Sequence, residues 1–249
     1  MSNVVTVPSN SQKLFGRFSH GNIPGLRCVT IGDNSTIGGY DFQNLSELVS
    51  VSFPSLTTID SGNIQGGSFQ VRGCPVLYSI NAPLLTTVGG PYLRFQGNSN
   101  LSWIDLRSLT TASGIYIGQP GDNSLASLRL DALTTCPVVQ ICCLPALTSL
   151  SLPNLTSTTS FLANNSGLVS VTLTNWTPVN GSTVDFYGNN LTSASVNQVL
   201  ARCVANPAYV SGQVLLKGGN NGMATGQGET DTSTLVLRGV IVSVNTLET

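Results

Sequence analysis

The chain has 249 residues, a net charge of -1 and only 8% charged residues, against about 25% in an ordinary soluble protein. Because no cluster of Lys or Arg stands out, the sequence predicts neither nucleic acid nor an anionic membrane surface as a partner. The first residues lack the basic start and apolar run of a secretory signal, and no stretch approaches the roughly 18 apolar residues of a membrane span. We therefore expect neither a secretory leader nor membrane insertion.

Residues 1–24 form the first segment in chain order. They carry scattered apolar residues among polar ones and include His20. Such a segment can be a strand that caps a repeat structure or an arm that anchors the protein to a larger assembly, and both interpretations stay open.

Residues 25–190 contain seven near-copies of one motif, written most fully from Asn100 as Asn-Leu-Ser-Trp-Ile-Asp-Leu. The copies begin 21 to 29 residues apart, at Gly25, Glu47, Val76, Asn100, Ser124, Ala146 and Gly167. A period of this size is typical of a stacked solenoid, in which each unit is too small to bury its apolar face alone. The repeat therefore predicts one elongated domain.

Each repeat contains two alternations of apolar and polar residues, the pattern of a short strand with one buried face. One alternation lies within the motif, as at Ile104 and Leu106. The other precedes the motif, at Phe69 and Val71, Leu93 and Phe95, Ile115 and Ile117, Val139 and Ile141, and Val184 and Phe186. An anchoring Leu recurs beyond them at Leu56, Leu85, Leu109, Leu133 and Leu155, and Trp176 takes its place in a further repeat, where we expect it in the core. We expect two short parallel strands per coil.

A polar or thiol residue recurs three positions after the second alternation, as Cys74 after Val71, Asn98 after Phe95, Asn165 after Leu162 and Asn189 after Phe186, whereas Leu144 interrupts the series. An inward Asn there can pair backbone groups that a tight bend would otherwise bury alone. The run from Leu93 to Leu101, Leu-Arg-Phe-Gln-Gly-Asn-Ser-Asn-Leu, resembles the leucine-rich repeat. The resemblance covers about residues 25–190 and is to irregular repeats with a strand in place of the helix. It implies a mainly β, right-handed solenoid.

Residues 191–249 change pattern and predict a small α/β cap. Val196, Val199, Leu200, Cys203 and Val204 have helical spacing, and Thr192 or Ser193 can cap the start of that helix. A strand at residues 214–216, a Gly-rich turn, a short helix near residues 232–238 and a final strand at residues 240–244 follow.

This ending resembles leucine-rich-repeat proteins encoded by tailed bacteriophages and related prophages. The residues that carry the resemblance are Asn190, Leu191, Thr192, Ser195, Val196, Asn197, Val199 and Leu200, then Gly218, Gly219, Asn220 and Asn221, then Leu235, Arg238, Gly239 and Val240. Val240 and Ile241 stand where an aromatic residue usually follows the Arg-Gly step. The resemblance implies a structural protein of the virion.

Four aromatic residues are the candidate binding residues. Tyr78, Tyr92, Trp103 and Tyr116 lie between apolar strand positions, so we expect their rings to point outward. Planar rings there either bind sugar or protein surfaces or shield the edges of the coils. Both interpretations have equal weight.

No set of residues makes a strong catalytic or metal site. Asp105 and Asp131 lie at nearby positions of adjacent coils, as a carboxylate pair for glycoside cleavage would require, but Arg107 and Arg129 can simply pair with them. His20 is too isolated for a Ser-His-Asp site. The six cysteines are scattered and form no Cys-x-x-Cys. We expect reduced thiols, no metal and no cofactor.

These features predict a noncatalytic structural protein of a bacteriophage virion, assembled in the host cytoplasm as a tail, fibre or capsid-decoration component. The expected partners are other virion proteins, further copies of the chain and a host surface glycan or protein. One alternative is a bacterial surface adhesin or carbohydrate-binding leucine-rich-repeat protein. Another is a polysaccharide-degrading β-solenoid enzyme.

Overall fold

A computed structural model of the chain describes residues 4–7, 16–19, 25–31, 36–37, 39–60 and 68–246. Within this part the protein is mainly β, with parallel sheets and two helices. His20, the isolated histidine, lies outside the described residues.

The strands of the described residues, in chain order, are β1 (Val4–Val7), β2 (Gly16–Ser19), β3 (Cys28–Ile31), β4 (Thr36–Ile37), β5 (Tyr40–Gln43), β6 (Ser50–Ser52), β7 (Thr58–Ile59), β8 (Phe69–Arg72), β9 (Ser79–Asn81), β10 (Thr87–Val88), β11 (Leu93–Gln96), β12 (Trp103–Asp105), β13 (Thr111–Ala112), β14 (Gly114–Ile117), β15 (Ser127–Arg129), β16 (Val138–Ile141), β17 (Ser149–Ser151), β18 (Ser157–Leu162), β19 (Ser170–Thr172), β20 (Thr177–Asp185), β21 (Gln213–Leu215) and β22 (Ile241–Ser243). The helices are α1 (Ser193–Val204) and α2 (Gln227–Leu237).

Ten of these strands form the large sheet, in the order β2-β5-β8-β11-β14-β16-β18-β20-β21-β22. A second sheet has the order β1-β3-β6-β9-β12-β15, a third has the order β13-β10-β7-β4, and β17 pairs with β19. In the large sheet, Leu93 of β11 lies between Phe69 of β8 and Ile115 of β14. Residues one repeat apart in the sequence thus become neighbours across a sheet.

The parallel sheets extend beyond both ends of the seven repeats. At the N-terminal end β1 pairs with β3 and β2 pairs with β5. At the C-terminal end β21 and β22 continue the large sheet from β20. Strand pairing therefore crosses the boundaries that the sequence suggests near residues 25 and 190.

In the first four repeats the structure contains a third short strand in addition to the two that the sequence predicts. These strands form the third sheet, and three of its four two-residue strands, β7, β10 and β13, lie at the Thr-Thr step that follows the anchoring Leu. Thr86 donates its hydroxyl hydrogen to the carbonyl of Thr57 at 2.8 Å, Thr110 donates to Thr86 at 2.9 Å, and Thr134 donates to Thr110 at 3.0 Å. A two-residue strand is too short to produce a periodic pattern of apolar residues in the sequence. The recurring threonines are the sequence feature that marks these strands.

The inner faces of the sheets meet in one continuous apolar core. The alternating pairs and the anchoring leucines identified in the sequence are all at most 1% exposed, which confirms the predicted inward face. Trp176 is fully buried, as predicted, and donates its indole N–H to the Thr158 hydroxyl at 3.1 Å. Its ring packs edge-on against Phe161, with 5.4 Å between ring centroids.

Buried polar side chains form a ladder at the bend after the large sheet. Asn98 donates to the carbonyl of Val71 at 2.8 Å and accepts from the N–H of Cys74 at 3.0 Å. Asn189 donates to the carbonyl of Ala163 at 2.8 Å. These amides pair buried backbone groups of neighbouring coils, and Cys74 fills the same place with a weaker donor.

Asn165 does not belong to this ladder, contrary to the sequence-based prediction. Its side chain is exposed and its φ is +50°. Ser166 takes the ladder position, where its hydroxyl accepts a backbone N–H of the preceding coil at 3.1 Å. The prediction counted from Leu162, but the inward residues here are Phe161 in β18 and Ala163 directly after it, so the count was one residue short.

The ladder also contains members that the sequence spacing hid. Asp122, which is buried, accepts the N–H of Gly97 at 2.9 Å, and burial raises the pKa of its carboxyl group. Asn221 accepts the N–H of Leu191 at 2.8 Å and donates to the carbonyl of Leu216 at 2.8 Å. The ladder therefore runs on into the C-terminal region.

Helix α1 begins where the sequence predicts. Thr192 is its N-cap and accepts the N–H of Ser195 at 3.2 Å. Helix α2 begins five residues earlier than the predicted residue 232, because its first turns have no apolar period. Hydroxyls of Thr232 and Thr234 instead donate to carbonyls four residues back at 2.9 Å. Strands β21 and β22 lie within one residue of their predicted positions at every boundary.

Candidate functional site

The four candidate aromatic residues lie on two different sheets. Tyr116 lies on β14 of the large sheet, and Tyr92 directly precedes β11 of the same sheet. Trp103 lies on β12 of the second sheet, and Tyr78 directly precedes β9. Tyr78 is 54% exposed and Tyr92 is 38% exposed, whereas Trp103 and Tyr116 are half-buried. All four reach the surface, but the structure brings together only the pair on the large sheet.

Tyr92, Arg94 and Tyr116 form one group on the outer face of the large sheet, here called the Arg94 cluster. Arg94 lies beside Tyr116 in the register of β11 and β14. Its guanidinium carbon lies 4.6 Å from the centroid of the Tyr92 ring and 5.2 Å from that of the Tyr116 ring. The rings are 5.8 Å apart at 65°. Both tyrosines therefore hold the cation in place by cation–π contacts.

Gly114 makes room for this arrangement. A Cβ atom at Gly114 would lie 2.8 Å from Cε2 of Tyr116 and 3.2 Å from the carbonyl oxygen of Pro91. The Tyr116 ring therefore lies over a position of β14 that has no side chain. Any larger residue there would displace the ring and with it one wall of the cluster.

Arg94 is a cation without a carboxylate partner among the described residues. Its Nε is buried and has no hydrogen-bond partner there. Asp41 lies two strands away in the same row, since Asp41 pairs with Gln70 and Gln70 with Arg94. Arg72 lies 3.3 Å from the Asp41 carboxylate, and Gln43 also donates to it. The nearest carboxylate in this row is thus already neutralised by another arginine.

Amide side chains flank the cluster on both sides. Across the strands, Gln70 of β8 is in register with Arg94, and Gln140 of β16 is in register with Tyr116. These side chains alternate with buried neighbours and are half-buried. Neighbouring strands lie about 4.8 Å apart, so the row from Gln70 to Gln140 extends roughly 14 Å. It combines an amide, a cation, an aromatic ring and a second amide.

The larger surface depressions lie elsewhere. One of about 360 Å³ is lined by Arg27, Glu47 and Val76, and one of about 280 Å³ lies in the C-terminal region beside Met223 and Glu229. The Arg94 cluster instead lies on the outer face of a sheet, where Arg94 and Tyr116 are half-buried. Such a surface suits an extended ligand better than a small molecule that needs enclosure.

The candidate carboxylate pair is engaged in ion pairs. Arg107 donates from Nε to both Asp105 oxygens at 3.0 Å, and Arg129 lies 3.2 Å from Asp131. The Arg107 guanidinium holds the pKa of Asp105 below its ordinary value. A carboxyl group with a lowered pKa stays ionised and is a poor general acid.

The cysteines are arranged as separate thiols. All six are free, and burial raises the pKa of Cys74 to about 11 and that of Cys136 to about 12. In the part of the chain that the structure describes, no three His, Cys, Asp or Glu side chains are grouped as a metal site would need. Neither described helix combines the length and the apolar character needed to cross a bilayer.

No family model, curated protein or solved structure matches the chain.

The sequence singled out Tyr92 and Tyr116 but not Arg94. The alternation of apolar and polar residues shows that Arg94, between Leu93 and Phe95, points outward. The contact of Arg94 with Tyr116, 22 residues away, depends on the register of β11 and β14. Gly114 had a signal too, since a glycine inside a strand often marks a close approach.

Proposed function

We propose that this protein is a noncatalytic binding scaffold of a bacteriophage virion, built as a right-handed leucine-rich-repeat solenoid and displayed as a tail, fibre or capsid-decoration component. The observation that carries the binding role is the large sheet. Its inner face is packed into the core, while its outer face presents the Arg94 cluster between amide side chains. Stacked repeats commonly serve in this way, as rigid supports for an extended surface.

The solenoid form is supported by the pairing of strands. In each of the three largest sheets, a strand pairs in parallel with its counterpart one repeat away. The crossover connection between two parallel strands of one sheet is right-handed in nearly all proteins. The ladder around Asn98 and Asn189 lies at the bend where the leucine-rich-repeat resemblance puts its Asn.

The noncatalytic role is supported by the state of the reactive groups. The Asp105 carboxylate is held by Arg107, and the thiols of Cys74 and Cys136 stay protonated near neutral pH. An ion-paired carboxylate and protonated, buried thiols support a structural role for these side chains.

The virion role is supported by the resemblance of the C-terminal residues. Several of these residues join the two helices and close the last coils. Asn197 donates to the carbonyl of Thr225 at 3.0 Å, and Arg238 donates to the carbonyl of Val204 at 3.0 Å. Such contacts make a cap for the exposed end of a stack.

Association with particles tests this proposal. Virions are purified by density-gradient centrifugation from a host culture that produces the phage whose genome encodes this protein. The amount of the protein in each fraction is measured by quantitative mass spectrometry. We expect the protein in the infectious band at a fixed copy number per major capsid protein, and resistant to a high-salt wash. A protein that remains with soluble host proteins at the top of the gradient would rule out the virion role.

A carbohydrate-binding adhesin is the second candidate, and the aromatic rings that the Arg94 cluster presents on the outer face of the sheet favour it. It shares the scaffold and the binding surface with the first proposal but predicts display on a bacterial cell. Surface labelling of intact cells, with no protein in the particle band, would support it over the virion role.

A further inference from the structure

We infer that the Arg94 cluster is a binding site for an acidic glycan, in which Arg94 pairs with a sugar carboxylate while Tyr92 and Tyr116 contact the faces of the sugar rings. The inference deepens the proposed binding role and rests on it. It assigns a ligand class to one place on the large sheet.

The first argument is the state of the charge. Arg107 and Arg129 each pair with a carboxylate, and Arg202 donates to the carbonyl of Trp176 at 2.8 Å. Arg94 instead contacts the rings of Tyr92 and Tyr116 and has no carboxylate partner among the described residues. An incoming carboxylate can accept from the terminal nitrogens of the guanidinium in the bidentate way that suits both groups.

The second argument is preorganisation. Both tyrosine rings contact the guanidinium and also contact each other, and the bare Gly114 position under Tyr116 sets the position of that ring. The strands beneath are rigidly paired, with Leu93 and Phe95 in the core. A side chain that is already held in its binding position loses little conformational entropy when the ligand arrives.

The third argument is the composition of the row. Pyranose rings have apolar faces that pack on aromatic side chains and hydroxyl groups that pair with amides. Tyr92 and Tyr116 supply the first kind of contact, and Gln70 and Gln140 can supply the second on either side. An acidic peptide would be better matched by several cations, and the one nearby, Arg72, is already paired with Asp41. The observations therefore favour a sugar acid over an acidic protein segment.

Three variants of the full-length chain test the site. Arg94→Met removes the charge and keeps much of the aliphatic stem. Gly114→Ala keeps Tyr92, Arg94 and Tyr116 in the sequence but displaces the Tyr116 ring. The backbone φ at residue 114 is not in the left-handed region, so alanine is tolerated there by the backbone. Arg129→Met is the matched control, because it makes the same charge change on the second sheet at an exposed ion pair.

Binding is measured by isothermal titration and by glycan array with sialyllactose, oligogalacturonate, oligoalginate and hyaluronate oligomers. Carboxyl-reduced forms of the same oligomers and poly-glutamate are the comparison ligands. We expect at least one acidic oligomer to bind the wild type and to bind at least tenfold more weakly after carboxyl reduction. Arg94→Met and Gly114→Ala should each weaken binding at least tenfold, and Arg129→Met less than twofold. Circular dichroism spectra like that of the wild type show that the variants are folded.

Three results would overturn the inference. They are equal binding of reduced and acidic oligomers, preference for poly-glutamate, and no binding of any acidic oligomer. Because the assay uses the isolated protein, its outcome is independent of particle association. A protein that binds acidic glycans but stays out of the virion band would disprove the virion role alone, and the reverse result would disprove the ligand assignment alone.

Discussion

Replacing Asn189 with Ala tests the polar ladder most directly. The amide nitrogen donates to the carbonyls of Ala163 and Phe186 at 2.8 and 2.9 Å. The amide oxygen accepts from the N–H groups of Ser166 and Leu168 at 3.2 and 3.3 Å. Asn189 itself is 1% exposed, so the substitution leaves four backbone groups in the interior without these partners.

The expected loss follows from these four contacts. A buried group that loses its partner costs about 1–3 kcal/mol, and a water molecule entering the vacated space can satisfy some of the four. We therefore expect a loss of about 3–5 kcal/mol in the free energy of unfolding. In a chain of this length 1 kcal/mol corresponds to roughly 2–4 °C, so the melting temperature should fall by about 10 °C.

The assay is thermal unfolding followed by far-ultraviolet circular dichroism, with Asn165→Gly as the matched control. Asn165 is an exposed asparagine of the neighbouring coil with φ at +50°, a conformation that glycine adopts readily. The control should change the melting temperature by less than about 2 °C, since surface changes usually stay within about 0.5 kcal/mol. A larger loss in the control than in Asn189→Ala would refute the assignment of Ser166 and Asn189 to the ladder.

Three further predictions concern the core, the thiols and the ion pair of Asp105 with Arg107. Leu150→Asp should cost several kcal/mol or prevent folding, because it buries an unpaired carboxylate, whereas Ser151→Asp on the exposed face should melt like the wild type. Cys74, with a pKa of about 11, should resist alkylation at pH 8 in the native protein and react once denatured, as peptide mass spectrometry would show. The lowered pKa of Asp105 beside Arg107 means that their pairing stabilises the fold above the ordinary carboxyl pKa of about 3.9. That stability is lost as the pH falls through the lower folded value, so Asp105→Asn should destabilise at pH 7 and not in strong acid, as denaturant melts at each pH would show.

The inward-facing half of the fold could be predicted from the sequence because apolar side chains repeat with the period of the strands. Leu85, Leu109 and Leu133 occupy one position of three successive repeats and are all fully buried. The start of α1 was equally accessible, since Thr192 has the chemistry of an N-cap. In each case the position requires one chemical type of side chain, and the residues around that position in the sequence are enough to identify it.

The remainder depends on small shifts in register. The pairing of β18 with β20 is irregular between Thr158 and Ser160. The inward residue directly after β18 is Ala163, whose side chain is too small to mark an apolar position clearly. Counting from Leu162 therefore named Asn165 in place of Ser166. The ion pairs needed no such register, since the sequence already offered Arg107 and Arg129 as partners of the two carboxylates, and the structure pairs Arg107 with Asp105 and Arg129 with Asp131.

The Arg94 cluster shows how binding chemistry can arise on a scaffold whose repeats are otherwise alike. At the inward positions of four successive strands the copies carry only apolar residues, Phe69, Leu93, Ile115 and Val139, because each must fit the same core. At the next, outward positions the copies carry Gln70, Arg94, Tyr116 and Gln140. Packing does not constrain these outward side chains to one type, so stacking can set four different functional groups in one row. A ligand that spans the row meets a combination that no single repeat contains, which is why specificity must be sought across strands and not along any one of them.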